Sequence, residues 1–172
     1  AIHAARAYKK YQQRLMDNDA VDFDDIILHT VRLLQENEDI RTYYQRKFRY
    51  CLVDEYQDTN HLQYLLTSLL AGGYENLCVV GDDDQSIYRF RGATIENILN
   101  FEKQYRGSRT IRLEQNYRST QAILNAANAV IAHNIGRKGK RLWTANETGD
   151  PITVYEAADE GMEANYVAGQ II

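Results

Sequence analysis

Along the 172 residues, apolar positions fall either into clusters at helical spacing or into short unbroken runs. Ile2, Tyr8, Tyr11, Leu15 and Met16 give residues 2–16 the apolar side of a weakly amphipathic helix, which the polar run Asp17-Asn18-Asp19 ends. Asp22 has the character of an N-cap. Phe23, Ile26, Ile27, Val31 and Leu34 then hold a helical period to about Asn37, and a shorter helix is predicted from Asp39 to about Phe48. Cys51-Leu52-Val53, with Tyr50 before them, and Leu77 to Val80 do not alternate, which predicts strands buried on both faces of a parallel sheet. Between them Leu62, Leu65, Leu66, Leu69 and Leu70 predict a helix closed by Gly72 and Gly73, so this stretch reads as a βαβ unit. Ile95, Ile98 and Leu99 mark another helix, Thr110 to Leu113 a third strand, and Thr120 to about Asn134 a further helix. A long polar loop is expected from Gly136 to Gly149, then Pro151, a fourth strand at Ile152 to Tyr155 and a helix from about Glu160. Strands alternating with helices predict an α/β fold with a largely parallel sheet.

Composition narrows the class. With 44% hydrophobic and 26% charged residues the chain can bury a core as one domain or two. Lys and Arg number 20 against 24 Asp and Glu, so the net charge of −4 excludes binding to DNA by bulk charge, though not by local basic patches. No apolar run approaches the roughly 18 residues of a membrane span, and AIHAARAYKKY lacks a signal peptide's apolar centre. A soluble, cytoplasmic protein is expected. Cys51 and Cys78 are too few for a disulfide framework and read as buried small apolar residues, and the four histidines show no ligand spacing. The chain opens without Met inside a helical stretch and stops at Val167, Ile171 and Ile172 with no closing residue, which reads as an excised piece of something longer.

Ligands of open α/β sheets bind beyond the carboxyl ends of the strands, and here each run leads into polar residues. The first leads into Asp54-Glu55-Tyr56-Gln57-Asp58-Thr59, the second into Gly81-Asp82-Asp83-Asp84-Gln85, the third into Glu114-Gln115-Asn116-Tyr117-Arg118. An apolar strand ending in Asp-Glu is the Walker B arrangement, in which the Asp holds Mg²⁺ and the Glu polarises the water that attacks a γ-phosphate. A turn whose acids offset a helix dipole is the plainer alternative. If Gln85 to Ala93 is extended, Tyr88 and Phe90 point to one side and Arg89 and Arg91 to the other, rings for stacking on bases and guanidinium groups for phosphates. Tyr117 could stack on a purine and Arg118 could stabilise charge on a transferring phosphoryl group, or the two could be a surface pair beside a helix capped by Ser119 or Thr120. Arg137-Lys138-Gly139-Lys140-Arg141 ahead of Trp143 reads as a solvated loop that could touch a nucleic-acid backbone.

Taken together, DEYQDT at 54–59, GDDDQSIYRFRGA at 81–93 and LEQNYRST at 113–120 resemble motifs II, III and IV of the UvrD/PcrA/Rep family of DNA helicases. Val21 to Ile27 is similar to the segment where that family's inserted domain returns to the first motor domain, and KRLWT at 140–144 looks most like the PcrA and UvrD branch. The resemblance implies an ATP-driven translocase that moves 3′ to 5′ on single-stranded DNA, unwinds at duplex junctions and is built from two RecA-like motor domains flanked by helices. It implies Asp54 as a Mg²⁺ ligand with Glu55 beside it as the base that activates water, and Gln85 as γ-phosphate sensor. It also implies Tyr88, Phe90 and Arg91 along the DNA track, Tyr117 beside the adenine and Arg118 reaching the γ-phosphate. Phe90 stands where many relatives have Trp, so stacking should persist with less area. Residues 1–17 would be the tail of the inserted helical domain, 18–112 the latter part of the first motor domain and 113–172 the start of the second.

No glycine begins a G-x-x-x-x-G-K-[ST] sequence, so the phosphate cradle of Walker A is missing and the chain alone is expected to show negligible ATPase activity. Two other readings differ in class. A metal-dependent nuclease or phosphohydrolase would use Asp54, Glu55, Asp82 and Asp84, leaving Gln85, the aromatic track and Arg118 without work. A non-catalytic nucleic-acid-binding module would bind without turning over ATP. A motor domain lacking its first strand would also expose an unpaired sheet edge, through which self-association is expected.

Overall fold

The computed structural model describes residues 2–134 and 139–171, the side chain of Arg91 excepted. The chain divides into two compact units, Ala1–Arg109 and Thr110–Ile172.

The first unit opens with α1 (Ile2–Asp17) and α2 (Phe23–Glu36). Of the apolar side expected for α1, Ile2, Tyr8, Tyr11 and Met16 are exposed and Leu15 is partly covered. Asp22 caps α2 as predicted: its Oδ1 accepts the Asp25 N–H at 2.8 Å, and the Asp25 carboxylate accepts the Asp22 N–H at 3.3 Å. The Asp25 N–H, and after it the Tyr11 hydroxyl, hold the Asp22 carboxyl below the usual carboxylate range. α3 (Glu38–Lys47) follows, and α2 packs on both α3 and α4 (His61–Ala71), where Val31, Leu34 and Ala71 are buried. Gln45 on α3 ties the pair by donating to the Leu69 carbonyl at 2.8 Å.

The predicted βαβ unit is present. β1 (Cys51–Val53) and β2 (Leu77–Val79) pair in parallel with Leu52 opposite Cys78. The expectation of burial on both faces is corrected, because Cys51, Val53, Leu77 and Val79 are half-buried while Leu52, at 78% exposure, and Cys78 face outward. Neither cysteine is fully buried. An apolar run without alternation conceals this, since both faces carry the same kind of side chain. The left-handed residue after α4 is Glu75 (φ 54°), whereas Gly72 keeps helical angles.

Beyond β2 the expected helix is two short ones, α5 (Glu96–Leu99) and α6 (Phe101–Gln104), divided at Asn100. Phe101 meets the ring of Tyr56 edge-on at 5.9 Å between centroids. Tyr56 is 0% exposed and its buried hydroxyl has no hydrogen-bond partner among the described residues. Burial pushes the Tyr56 phenol up to about 12. An unfolded chain releases that proton near 10 and the folded one near 12, so stability that is full below about pH 10 is lost as pH climbs between the two values. Tyr56→Phe should therefore lose less stability than the parent between about pH 9 and 11, and at neutral pH be at least as stable, because it removes an unpaired polar atom. Denaturant unfolding at both pH values checks this; a steeper alkaline loss in the variant would contradict it.

In the second unit α7 (Gln121–Ile131) buries Leu124, and α8 (Glu160–Ile171) comes later in the chain, its Tyr166 stacking on Tyr155 at 3.9 Å. Thr120, one of the two caps expected, is the N-cap residue of α7, but its side chain makes no cap bond. Instead the first helical N–H groups, of Gln121 and Ala122, donate to the Glu147 and Thr148 carbonyls at 3.1 and 2.9 Å. That close return explains Gly149, at φ 73°, where a Cβ would stand 2.5 Å from Thr120. The strands expected at Thr110–Leu113 and Ile152–Tyr155 are corrected: both segments are irregular, and the unit's pairing among the described residues is one bridge, Gln115 to Trp143. A strand needs a neighbour, and an apolar run cannot show whether one exists. Of the expected loop, Gly136, Arg137 and Lys138 lie outside the described residues.

Candidate functional site

β1 and β2 run side by side and release their chains at the same end. The ladder continues one step past the strands, with Val80 N–H donating to the Val53 carbonyl at 2.8 Å and Tyr56 N–H to the Val80 carbonyl at 2.9 Å. Asp54 and Glu55 are thereby set beside Gly81 and Asp82. Both acids are exposed. Asp54 Oδ1 accepts the Glu55 N–H at 2.9 Å, and Glu55 adopts φ 50°, ψ 41°, a left-handed conformation unusual for a residue with a Cβ. The turn sends the next three residues, Tyr56–Asp58, into a single 3₁₀ turn with Tyr56 and Gln57 buried.

Gln57, 1% exposed, lies at the centre of the site. Its Nε2 donates to Glu55 Oε2 at 2.7 Å while its Oε1 accepts the Asp82 N–H at 2.9 Å. Asp82 carries the chain of bonds onward: its Oδ1 accepts the Asp84 N–H at 3.0 Å and its Oδ2 the Gln85 Nε2 at 2.8 Å. Glu55 and Gln85, assigned separately from sequence, are thus joined through one buried amide and one carboxylate. Gly81 permits the approach, since a Cβ there would stand 2.6 Å from Gln57 Oε1 and 2.9 Å from Ile98 Cδ1. Gln57 was legible only as a motif letter; the signal that could have found it is a polar residue two places after the acid, at the position where a turn folds back over the site.

Asp82, Asp83 and Asp84 bring carboxylate oxygens within 4.8 Å of one another. Among the described residues Asp54 and Glu55 are not drawn into that group, so the four-acid set of a two-metal hydrolase is not assembled. Asp54 and Glu55 nevertheless offer the hard oxygen donors that suit Mg²⁺.

Tyr88 and Phe90 lie next along the chain, their rings 6.0 Å apart and tilted by 51°. The extended reading of this segment is corrected, because Arg89–Arg91 form a 3₁₀ turn closed by Gly92 at φ 84°. Alternation therefore does not separate rings from guanidinium groups here, yet Phe90 is 78% exposed and its ring is presented outward. The side chain of Arg91 lies outside the described residues. The segment is pinned to the acidic turn by Thr59, whose carbonyl accepts the Thr94 N–H at 3.0 Å and whose Oγ1 accepts the Asn97 amide at 3.1 Å.

Tyr117 and Arg118 belong to the second unit, both exposed. Their loop is shaped by two asparagines that sequence reasoning missed. Asn116 Oδ1 accepts the N–H groups of Arg118 and Ser119 at 2.9 and 2.8 Å, and Asn146 Nδ2 donates to the carbonyls of Tyr117 and Ser119. An Asx turn of this kind is how a short polar side chain substitutes for regular structure.

Comparison with known proteins agrees with the motifs. Among the described residues no helix is long and apolar enough to cross a membrane. Over 168 residues the chain is 58% identical to the ATP-dependent DNA helicase PcrA of Staphylococcus epidermidis and 56% identical to that of Staphylococcus aureus. Each match takes in 98% of this chain and 23% of the relative, so the chain spans about a quarter of the length of those proteins. The UvrD/REP helicase N-terminal domain matches residues 1–106 and the UvrD-like helicase C-terminal domain residues 111–172, and the chain accordingly belongs to the UvrD/REP helicase family.

Proposed function

We propose that this chain is the water-activating and coupling part of an ATP-dependent DNA helicase that moves 3′ to 5′ along single-stranded DNA and opens duplex junctions. The observation that carries this reading is the hydrogen-bonded run Glu55–Gln57–Asp82–Gln85 at the carboxyl ends of two parallel strands. It gives the second strand's loop a physical connection to the acid of the first, which ATP-driven movement requires and simple hydrolysis does not.

In this reading Asp54, with Glu55 beside it, would hold Mg²⁺, which would supply positive charge to offset that of the triphosphate. Glu55 accepts a proton from the attacking water. The Gln85 amide, oriented by Asp82, senses the γ-phosphate, and Tyr88, Phe90 and Arg91 form the track on which bases stack. Tyr117 packs by the adenine, and Arg118 stabilises charge on the transferring phosphoryl group. The units are read as parts of two RecA-like motor domains, with 1–17 from an inserted helical domain, 18–112 from the first motor domain and 113–172 from the second. The outward sheet face bearing Leu52 and Cys78 supports self-association of the isolated chain.

The test compares the chain alone with a chimera in which it replaces the matching residues of the Staphylococcus epidermidis PcrA. The chain alone should show no Mg-ATP turnover, since it contains no G-x-x-x-x-G-K-[ST] sequence, and the chimera should hydrolyse ATP faster when single-stranded DNA is added. A chimera that binds Mg-ATP but turns it over without regard to DNA would contradict the coupling role.

A further inference from the structure

We infer that Gln57 is a positioning residue that holds the Glu55 carboxylate and the Asp82–Gln85 turn in one arrangement, so that the base and the phosphate sensor are set together. The inference rests on the proposed role of Glu55.

A residue at position 57 must satisfy partners of opposite kind, and its Nε2 also reaches the Asp58 carboxylate at a longer 3.5 Å. Glu55 presents a carboxylate, which only accepts, and Asp82 presents a backbone N–H, which only donates. The glutamine amide carries a donor and an acceptor on one rigid plane, and it meets them at 2.7 and 2.9 Å. At 1% exposure the Gln57 amide itself is shielded from water, and it cannot turn over without breaking both bonds. The backbone contributes as well. The Gln57 carbonyl accepts from Ser86 Oγ at 3.4 Å, so this residue touches the turn at Asp82 and again past Gln85. Glu55 sits in a left-handed conformation, and its side chain needs an external partner to favour one rotamer over the others. Gly81 is shaped to the same bond, because a Cβ there would displace the Gln57 oxygen.

Gln57→Glu separates the two functions. The new carboxylate still accepts from the Asp82 N–H but meets Glu55 as a second negative charge, so the base is pushed aside. In the chimera, Gln57→Glu should lower kcat by at least about tenfold with KM for ATP within about twofold, the split expected when an interaction made only in the transition state is lost. In the isolated chain, Gln57→Glu should shift the amide NMR signals of Asp82–Ser86. Adding Glu55→Gln restores an amide–carboxylate pair with its ends exchanged, so the double variant should regain those signals while remaining inactive in the chimera. Wild-type kcat in Gln57→Glu, with Glu55→Gln inactive, would overturn the inference and leave the base in place. Wild-type kcat in Glu55→Gln would remove the base and the inference together. Amide signals that do not respond to Glu55→Gln in the double variant would show that no bond connects the two sites, and would also overturn it.

Discussion

Glu55→Gln in the chimeric helicase is expected to lower ATP turnover by about 10²–10⁴-fold, the range that a positioned proton acceptor contributes. The amide is nearly isosteric with the carboxylate, and the residue is exposed, so folding should be unaffected. Binding of Mg-ATP should stay within about threefold, because Asp54 keeps its carboxylate and its bond to the Glu55 N–H is a backbone contact that the substitution leaves alone. Gln57 then faces an amide instead of a carboxylate and keeps its orientation, because the new side chain can present its own amide oxygen to the Gln57 Nε2. Single-turnover measurement with nucleotide in excess of its affinity separates the steps. Retained chemistry with impaired binding would move Glu55 from base to binding residue.

Phe90→Ala is expected to weaken binding of an oligo-dT strand by about 5- to 150-fold, corresponding to the roughly 1–3 kcal/mol of one base stack. Phe90 is 78% exposed, so truncation leaves no cavity and the thermal midpoint should move little. Phe90→Trp enlarges the face and should tighten binding. Phe23, at 89% exposure on α2, is the control: Phe23→Ala removes an equally exposed ring that has no place in the track and should leave affinity unchanged. Equal losses from both variants, read by fluorescence anisotropy at one fixed salt concentration, would mean that the rings act by general stickiness and not as a track.

Much of the first unit was legible because its elements are local. Asp22 followed by Asp25, and leucines at helical spacing from Leu62, specify α2 and α4 without reference to anything distant. The strand at Cys51–Val53 was legible because its neighbour, Leu77–Val79, is of the same kind and one helix away. Thr110–Leu113 and Ile152–Tyr155 have the same look and form no ladder, since pairing depends on a partner that hydropathy does not record. The outward side of β1 was hidden for a related reason: Leu52 is as apolar as Val53, and only the fold distinguishes them. In the site, the charged and aromatic residues could be picked by type, whereas Gln57, Asn116 and Asn146 could not. Their roles lie in which donors and acceptors they face, a property of folded geometry.

The left-handed backbone at Glu55 sets stability against activity at a single residue. A Cβ in that conformation costs roughly 1–2 kcal/mol, which glycine would not incur. Glu55→Gly should thus relax the turn while deleting the carboxylate that the proposed chemistry needs. Selection for heat resistance alone, without a screen for turnover, would therefore tend to discard this side chain, and thermostable variants from such a campaign should be sequenced first at position 55.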